Sequence, residues 1–257
     1  MRSINEAISK FQGISLVEMD AVKLMNRTDR KYWFHSSGIA DLLEAIVDNY
    51  YILEVDGERN MPYSTIYYDT PTNEMYANHQ RGKGNRYKIR RRSYVSSKSS
   101  FLEVKFKSNK GRTIKVRKGT DFGSVTFNSD DQEFIEAKSP YTCGQLRESL
   151  KNNFCRLMLV SKNMNERCTI DSCLQFNGAD DKESELDDLV IVEVKTDGRS
   201  RSAIIEALNL RRIKPSGFSK YCIGRSLIDT ELKQNNFKSK LRMIEKIINN
   251  PINKVVI

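Results

Sequence analysis

The chain has 257 residues, with 43 lysines and arginines against 33 acidic residues, and therefore a formal net charge of +10. No apolar run approaches the roughly 18 residues that a membrane-spanning helix needs, and the first residues lack the apolar core of a secretory signal. We therefore expect a soluble, cytoplasmic protein without a membrane segment. The five cysteines are scattered without C-x-x-C spacing and there are two histidines, which favours reduced thiols and excludes a multi-histidine metal centre.

Helical and extended segments are predicted to alternate along the chain. Apolar residues at i, i+3, i+4 spacing behind Ser36 and Ser37 predict a helix over residues 39–50. Similar patterns predict helices at 131–138, 145–154 and 202–210. Apolar and β-branched runs predict strands at 50–55, 64–68 and 154–161.

The positive charge is concentrated in residues 81–118. This segment holds fifteen lysines and arginines and a single acid, Glu103, which gives it a local charge of +14 and leaves the rest of the chain at −4. A charge this localised indicates a polyanionic partner that is held at one place on the protein.

The cations in this segment recur at every second position, which in a β-strand puts them on one face. Turns at 96–100 and 108–111 separate the runs, as in hairpins, and two later segments alternate in the same way. The charged faces of these five strands are Arg86, Lys88, Arg90 and Arg92; Phe101, Glu103, Lys105 and Lys107; Thr113, Lys115 and Arg117; Arg167, Thr169 and Asp171; and Glu193 and Lys195. Together with the apolar strands they make about eight, enough to close a barrel.

The charged faces could line a shared interior, with helices covering the apolar outer faces, or they could lie in water. Two features favour the interior: the charges are almost all positive, and a single carboxylate recurs in two similar tetrapeptides, at Glu103 and at Glu193. A carboxylate among cations suits a hard divalent metal ion that also takes phosphate oxygens. The alternative is that both glutamates are ordinary cross-strand ion-pair partners.

Seven short motifs occur in an order that resembles the polyphosphate polymerase domain of the vacuolar transporter chaperone (VTC) family, one of the triphosphate tunnel metalloenzymes. The resemblance extends from about Arg27 to Tyr221. The motifs are Arg27-Thr28-Asp29-Arg30-Lys31-Tyr32, Tyr68-Asp69-Thr70, Lys88-Ile89-Arg90-Arg91-Arg92, Leu102-Glu103-Val104-Lys105, Glu166-Arg167-Cys168-Thr169-Ile170-Asp171, Val192-Glu193-Val194-Lys195 and Phe218-Ser219-Lys220-Tyr221.

The resemblance implies an α+β fold: an eight-stranded antiparallel β-barrel that forms a tunnel with a polar, cationic interior and is covered by flanking helices. We expect a single domain over residues 1–257, with the tunnel core at about 23–224 and a C-terminal helical extension at 225–257. The family binds a nucleoside triphosphate through its phosphates, together with a divalent cation, usually Mn or Mg. Eukaryotic members also carry an SPX regulatory domain and a membrane anchor, and neither occurs within these 257 residues, so neither their regulation nor product export is implied.

The resemblance also assigns site residues, position by position. The matching phosphate-binding and catalytic positions are Lys31, Arg90, Arg92, Lys105, Arg156, Arg167 and Lys220, with Ser219 as a further phosphate contact, Lys115 and Arg117 as additional tunnel cations, and Glu193 as the metal ligand. Glu103, which the alternation pattern singles out, is a second candidate metal ligand. Phe154 stands where the family has a tyrosine, which removes a hydroxyl that would bond the substrate.

The expected activity is transfer of the terminal phosphate of ATP to a growing inorganic polyphosphate chain, with release of ADP. Hydrolysis of triphosphate or of a nucleoside triphosphate would use the same cations with water as the acceptor, so the residues leave both reactions open. A third hypothesis is a nucleic-acid-binding module, because Tyr87, Tyr94, Phe101 and Phe106 lie between the cations. The recurring carboxylates argue against it, and we expect no nucleic-acid partner.

Overall fold

The computed structural model describes residues 4–20, 22, 28–178, 182–198 and 200–249. Three parts of the expected organisation lie outside the described residues: Arg27 of the first motif, the start of the expected core at 23–27, and residues 250–257 of the expected extension. The division of a single domain into a core and an extension stays a prediction.

The described strands form one large sheet. They are β1 (Gln12–Ile14), β2 (Thr28–His35), β3 (Tyr50–Leu53), β4 (Met61–Asp69), β5 (Arg86–Tyr94), β6 (Ser99–Lys107), β7 (Thr113–Thr120), β8 (Arg147–Ser161), β9 (Glu166–Asn177), β10 (Glu183–Leu186) and β11 (Leu189–Thr196). Eight of them follow one another in the order β2-β11-β9-β8-β4-β5-β6-β7, and all of these neighbouring pairs are antiparallel. Three shorter strands lie off this path. β3 pairs with β8 in antiparallel orientation and with β1 in parallel orientation, and β10 pairs antiparallel with β9.

Helices cover both faces of the sheet. The described α-helices are α1 (Ile4–Ser9), α2 (Leu16–Asp20), α3 (Ile39–Ile46), α4 (Glu74–Gln80), α5 (Ser129–Lys138), α6 (Ala203–Leu210), α7 (Lys220–Ile228) and α8 (Lys238–Asn249). On one face, α1, α3 and α6 share a core with residues such as Phe34 and Val192, and α5 covers Leu102. On the other face, α7 and α8 pack in a core that includes Trp33 and Tyr67.

The alternating charge pattern predicts β5, β6, β7, β9 and β11, and all five strands are confirmed. The two predicted hairpin turns are present as well. Each contains a residue in the left-handed region, Lys98 with φ 44° between β5 and β6 and Gly111 with φ 81° between β6 and β7. Glycine suits the second position because it has no Cβ to clash there.

The predicted helix at 145–154 is wrong, because this segment belongs to strand β8. The helix-start signal is real, since Thr142 and Gln145 form a capping box, but the helix lasts for a single 3₁₀ turn. The backbone then pairs with both β4 and β9. Leu150 and Phe154 are four residues apart, a spacing that shares one face in a strand as well as in a helix, and both are buried in the core beside α7.

The predicted helix at 39–50 is shorter than expected. It ends at Ile46, a 3₁₀ turn occupies Val47–Asn49, and Tyr50 opens β3. The helices predicted at 131–138 and 202–210 are confirmed as α5 and α6. No helix in the described part of the chain combines the length and apolarity that crossing a membrane requires.

The eight-stranded path is not closed by hydrogen bonds. Among the described residues, no ladder joins β2 to β7, the two ends of the path. The segment before α7 bonds to β2 instead: the Ser216 N–H donates to the Lys31 carbonyl at 2.7 Å, and Trp33 Nε1–H donates to the Ser216 carbonyl at 3.1 Å. The α+β class and the antiparallel sheet are therefore confirmed, whereas the closed barrel is not.

Candidate functional site

The register of the sheet puts the predicted site residues on one face. Residues directly opposite each other in neighbouring strands point to the same side, and residues two apart in one strand do so too. The opposed pairs that connect the site are Lys31–Glu193, Glu193–Thr169, Arg156–Asp171, Thr65–Arg92, Arg90–Glu103, Glu103–Arg117, Lys88–Lys105 and Lys105–Lys115.

The other face of the same strands is apolar and covered by helices. Val192 and Ile170 are fully buried against α3 and α6, and Ile89 and Leu102 are fully buried near α5. A slip of one residue in register would exchange the two faces and place these apolar residues among the cations. The apolar core therefore fixes the direction in which the charged side chains point.

The charged face is partly closed off from water. Glu103, Asp171 and Arg92 are only 2%, 3% and 8% exposed. Burying a charge is costly unless it is paired or hydrogen-bonded. The part of the charged face around these three residues is therefore not a solvated sheet surface, whereas Lys105, Lys115 and Arg117 are exposed to water.

Asp171 on β9 joins two of the predicted cations. Arg156 on β8 donates from Nε to Oδ1 at 2.6 Å and from a terminal nitrogen to Oδ2 at 2.8 Å, and Lys220 at the start of α7 donates to the same Oδ2. Burial alone would raise the pKa of Asp171, but Arg156 and Lys220 outweigh it and hold the pKa below its ordinary value. The carboxylate therefore stays ionised and fixes both cations.

The sequence motifs contain Asp171 but assign it no role. The one signal for it is its alternation with Arg167 and Thr169, which places it on the charged face. Its partnership with Lys220, 49 residues further along the chain, depends on α7 lying over the sheet, which residue spacing does not indicate.

Phe154 forms an aromatic floor under the same cluster. Lys220 Nζ lies 4.4 Å from the centre of its ring, and the Arg156 guanidinium lies 5.2 Å from it. The Phe154 ring stacks in turn on Tyr63 at 5.3 Å. Cations over aromatic faces gain electrostatic attraction when water is excluded, so Phe154 supports these two cations although it lacks the hydroxyl of the family's tyrosine.

Glu103 on β6 organises a second cluster. Arg90 Nε donates to Oε2 at 2.5 Å, and Lys115 Nζ lies 2.5 Å from Oε1. Burial alone would raise the pKa of Glu103. Arg90, Arg92 and Lys115 outweigh this effect and lower the pKa to about 2. These contacts are those of a cross-strand ion-pair partner.

Glu193 on β11 is more accessible, at 21% side-chain exposure. Lys31 Nζ on the neighbouring strand lies 3.0 Å from its Oε1, and Lys195 Nζ lies 3.9 Å from the same oxygen. Burial raises the pKa of Glu193, whereas Lys195 and Lys31 lower it to about 2. Glu193 is thus an ionised oxygen donor on the charged face at neutral pH.

The donor set fits a divalent cation only in part. In the described part of the chain, no three His, Cys, Asp or Glu side chains are grouped so that they could hold a metal ion. Mg²⁺ is commonly bound through one or two carboxylates plus substrate phosphates and water. Glu193 fits that arrangement because it is partly exposed and both of its ion pairs use one oxygen. Glu103 fits it poorly because cations lie at both of its oxygens.

Arg92 on β5 is buried without full hydrogen bonding. Its Nε has no hydrogen-bond partner in the described part of the chain, and the same holds for the buried hydroxyls of Thr65 and Thr169. Burial and the charges of Arg90 and Arg156 lower the pKa of Arg92 to about 10. Unpaired buried donors are rare in folded proteins, so the Arg92 guanidinium has a donor left for a water molecule or for an anionic ligand.

The start of α7 meets β5 above the sheet. The Ser219 hydroxyl caps the helix by accepting from the Cys222 N–H at 3.3 Å, and it accepts from Lys88 Nζ at 3.0 Å. Burial and the neighbouring cations Lys105, Arg86 and Arg90 lower the pKa of Lys88 to about 8. Burial likewise lowers the pKa of Lys220 to about 8, although Asp171 opposes the shift.

The two ends of the strand path approach each other. Lys105 lies on β6, near one end of the path, yet Lys31 and Glu193 at the other end affect its pKa. Desolvation, Arg90 and Lys31 lower the pKa of Lys105 to about 8, and Glu193 opposes this decrease. The charged residues at the two ends of the path therefore lie close enough to interact, although among the described residues no ladder joins β2 to β7.

Arg167 and Arg117 lie towards the margins of the site. Arg167 donates to the Met19 carbonyl and lies 3.8 Å from Asp20, so it connects α2 to the sheet. On β9 it stands directly opposite Lys195 of β11. Arg117 on β7 is exposed and lies 4.8 Å over the ring of Phe101. The other predicted cations, Lys31, Arg90, Arg92, Lys105, Lys115, Arg156 and Lys220, occupy the positions described above.

The aromatic residues among the cations are paired with other rings. Tyr87 packs on Phe106 at 4.7 Å, and Tyr94 packs on Phe101 at 5.7 Å and on Tyr63 at 4.9 Å. All four rings are half-buried. Single-stranded nucleic acids are bound by exposed rings on which bases stack, and these rings do not offer such faces.

The chain was compared with sequence models of protein families, with curated proteins and with solved structures. The sequence model of the VTC domain matches residues 26–228. No curated protein matches the chain in sequence. The crystal structure of a candidate adenylate cyclase from Bacillus halodurans superimposes with a TM-score of 0.51 at 12% identity, over 76% of this chain and 96% of that chain. This likeness concerns the fold alone.

Two further structures are less similar. A candidate adenylate cyclase from Vibrio parahaemolyticus has a TM-score of 0.45 at 12% identity, over 79% of this chain and 99% of that one. A candidate adenylyl cyclase from Hippeastrum, described as having a dominant triphosphatase activity, has a TM-score of 0.47 at 14% identity, over 79% of this chain and 96% of that one.

Proposed function

This chain belongs to the VTC domain family, and on that premise we propose that it is a metal-dependent polyphosphate polymerase, which transfers the terminal phosphate of ATP to a growing inorganic polyphosphate chain and releases ADP. The observation that carries the proposal is the convergence of cations on one sheet face around the buried Arg92, whose Nε lacks a partner in the described part of the chain. A chain of phosphates would supply the further negative charge and acceptor oxygens that this excess of cations can bind.

Phosphoryl transfer needs little from a protein beyond positioning and charge stabilisation. In our assignment, Arg90, Arg92 and Lys105 bind the triphosphate, while Arg156 and Lys220 hold the phosphate that is transferred. Asp171 positions these last two cations through the contacts described above. Lys31, Lys115, Arg117, Arg167 and Ser219 lie around them as further contacts for the donor or for the chain.

The acceptor is itself an ionised phosphate oxygen, so the transfer needs no general base. The role of the protein is then to bring two anions together against their repulsion. Lys88 and Lys220 contribute because they are half-buried and cationic at neutral pH, with pKa values lowered to about 8. A bound polyanion would restore the pKa of both lysines towards the ordinary value.

Glu193 is the residue that we assign to a divalent cation, because it is ionised and partly exposed beside Lys31. Mn²⁺ or Mg²⁺ bound there would neutralise phosphate oxygens that the arginines and lysines do not reach. Glu103 instead holds Arg90 and Lys115 in place.

The direct test is to incubate the purified chain with ATP and Mn²⁺ or Mg²⁺ and to separate the products on a polyphosphate gel. We expect a ladder of chains together with ADP. Arg92→Met should abolish the ladder, whereas Lys110→Met, which removes an exposed cation in the β6–β7 turn, should leave it intact.

The same assay distinguishes the alternatives. Release of orthophosphate without chains would assign the site to triphosphate or nucleoside triphosphate hydrolysis, in which water replaces the phosphate acceptor. Absence of both products, together with salt-sensitive RNA binding that persists in Glu193→Gln, would support the nucleic-acid-binding hypothesis instead.

A further inference from the structure

Two cysteines meet on the outer face of the sheet, away from the charged face. Cys155 on β8 stands directly opposite Ser172 on β9, and Cys173 is the next residue. Both thiols are free, and the Cys173 side chain hydrogen-bonds with that of Cys155. Facing residues of neighbouring antiparallel strands have Cα atoms about 5 Å apart. Cys155 faces Ser172 rather than Cys173, so it is the hydrogen bond between the two thiols that places their sulfurs close enough for a disulfide to be considered.

The ladder is irregular at this point. The register of β8 and β9 shifts between Asn153 and Cys155, and Cys173 occupies the bulge with a φ of 51°. The left-handed region is unfavourable for a residue with a side chain, so the paired strands on either side must hold Cys173 there. The bulge leaves Cys173 exposed, whereas Cys155 is half-buried.

We infer that Cys155 and Cys173 form a reversible disulfide across the β8–β9 ladder when the protein meets a low-molecular-weight disulfide such as oxidised glutathione. The inference concerns the outer face and does not depend on the proposed polymerase function. The bond would lie beside Arg156 and two residues from Asp171 in the chain, behind the salt bridge that they form.

The exposure of the two thiols sets the order of the steps. The Cys173 thiolate attacks one sulfur of oxidised glutathione, forms a mixed disulfide and releases one glutathione thiolate. The Cys155 thiol then loses its proton to water and its sulfur attacks that of Cys173, which releases the second glutathione. The two cysteines are oxidised by two electrons in total and one glutathione disulfide is reduced to two thiols.

Cys155 is suited to the second step rather than the first. Burial and the neighbouring Cys173 raise the pKa of Cys155, so it is mostly protonated at neutral pH and a slow primary nucleophile. Burial also raises the pKa of the other half-buried thiol, Cys143. The nearby charges of Glu136 and Asp131 raise it as well, because they disfavour a thiolate. Cys168 and Cys222 are buried.

The test uses the full native chain, oxidised glutathione at pH 8, and alkylation of the remaining thiols before digestion without reductant. Trypsin should yield a peptide of residues 152–156 linked to one of residues 168–182, and fragmentation of the second peptide distinguishes Cys173 from Cys168. Thiol titration in denaturant should fall from five groups to three. The link should form faster in the native protein than in urea.

Variants complete the test. Cys155→Ser should retain glutathione on Cys173, because no second thiol can displace it, and Cys173→Ser should form no link. Cys143→Ser is the matched control and should form the link as the wild type does. The inference is overturned if the wild type keeps glutathione on Cys173 without a link, if it stays fully reduced, or if the link forms equally fast in urea.

Discussion

Arg156 and Asp171 face each other across the β8–β9 ladder and form two parallel hydrogen bonds, at 2.6 and 2.8 Å. Lys220 joins the same carboxylate from α7. Asp171 therefore connects the sheet to the helix that covers its charged face. It also holds in place Arg156 and Lys220, two cations that a triphosphate would contact in the proposed function.

Replacing Asp171 with asparagine should destabilise the protein, because Arg156 and Lys220, whose side chains are only 12% exposed, would lose their counter-charge. Removing one partner of a buried ion pair costs about 3–5 kcal/mol, so we expect a loss of that size in the free energy of unfolding measured in urea. Adding Arg156→Met to the Asp171→Asn variant should recover part of the loss. The matched control is Asp187→Asn, at an exposed position, and an equally small effect in both variants would contradict the prediction.

The affinity for inorganic tripolyphosphate should fall as the pH rises through about 8. Lys88, Lys105 and Lys220 have pKa values lowered to about 8 from the ordinary 10.5, so all three lose their charge in a range where an ordinary lysine keeps it. Calorimetric titration between pH 7 and pH 9 measures the effect. In the double variant Lys88→Arg/Lys220→Arg the decline should be smaller, because arginine stays charged and Lys105 still titrates in this range, and an identical decline would contradict the assignment.

Stability should change in the opposite direction over the same alkaline range. Between about pH 8 and pH 10.5 the unfolded chain binds more protons at Lys88 and Lys220 than the folded protein does, because the folded pKa values are the lower ones. The free energy of unfolding of the ligand-free protein should therefore increase with pH in that window. Urea titrations of the wild type and the double arginine variant at pH 8 and 10 compare the slopes, and a wild-type slope no larger than that of the variant would sink the idea.

Residue spacing predicts most of the sheet because five strands have one charged and one apolar face. It does not predict β2, in which Tyr32, Trp33 and Phe34 are consecutive and all buried. Both faces of β2 are covered, so the alternation of period two is lost. Lys31 on this strand is found only through the resemblance of its motif to a family.

The partners of the site residues are less predictable than their positions. Alternation places Glu103 and Glu193 on the same face, but their different surroundings depend on which cations the curved sheet brings to each. Closure of the barrel is the clearest case. The Ser216 N–H donates to the Lys31 carbonyl at the edge of β2, and the segment around Ser216 has no strand pattern of its own. Counting strands therefore suggests a closed barrel that the ladders among the described residues do not confirm.

Gly224 is the position that lets α7 lie close to the sheet. A Cβ atom there would overlap Phe176 Cδ1 and lie 2.7 Å from Leu150 Cδ2, and both side chains are fully buried. Alanine favours a helix over glycine by about 1 kcal/mol, but overpacking of a core costs about 1–3 kcal/mol. We expect Gly224→Ala to lower the melting temperature and to weaken tripolyphosphate binding, because Lys220 moves with α7. Gly144→Ala, where the new Cβ meets nothing within 4 Å, should change neither, and a Gly224→Ala protein as stable as wild type would contradict this packing.

Arg92 should be needed for binding and dispensable for folding. It is 8% exposed, its Nε is unpartnered in the described part of the chain, and Arg90 and Arg156 repel it. Arg92→Met keeps much of the side-chain volume and removes a buried charge, so the free energy of unfolding should be unchanged or higher. The dissociation constant for tripolyphosphate should increase at least about 10-fold, since a hydrogen bond to a charged group contributes about 1.5–3 kcal/mol. Calorimetry and urea titration of the same preparation measure both quantities, with Lys110→Met as the control for loss of one exposed cation. A variant that is destabilised but binds normally would show that Arg92 serves the fold rather than the anion.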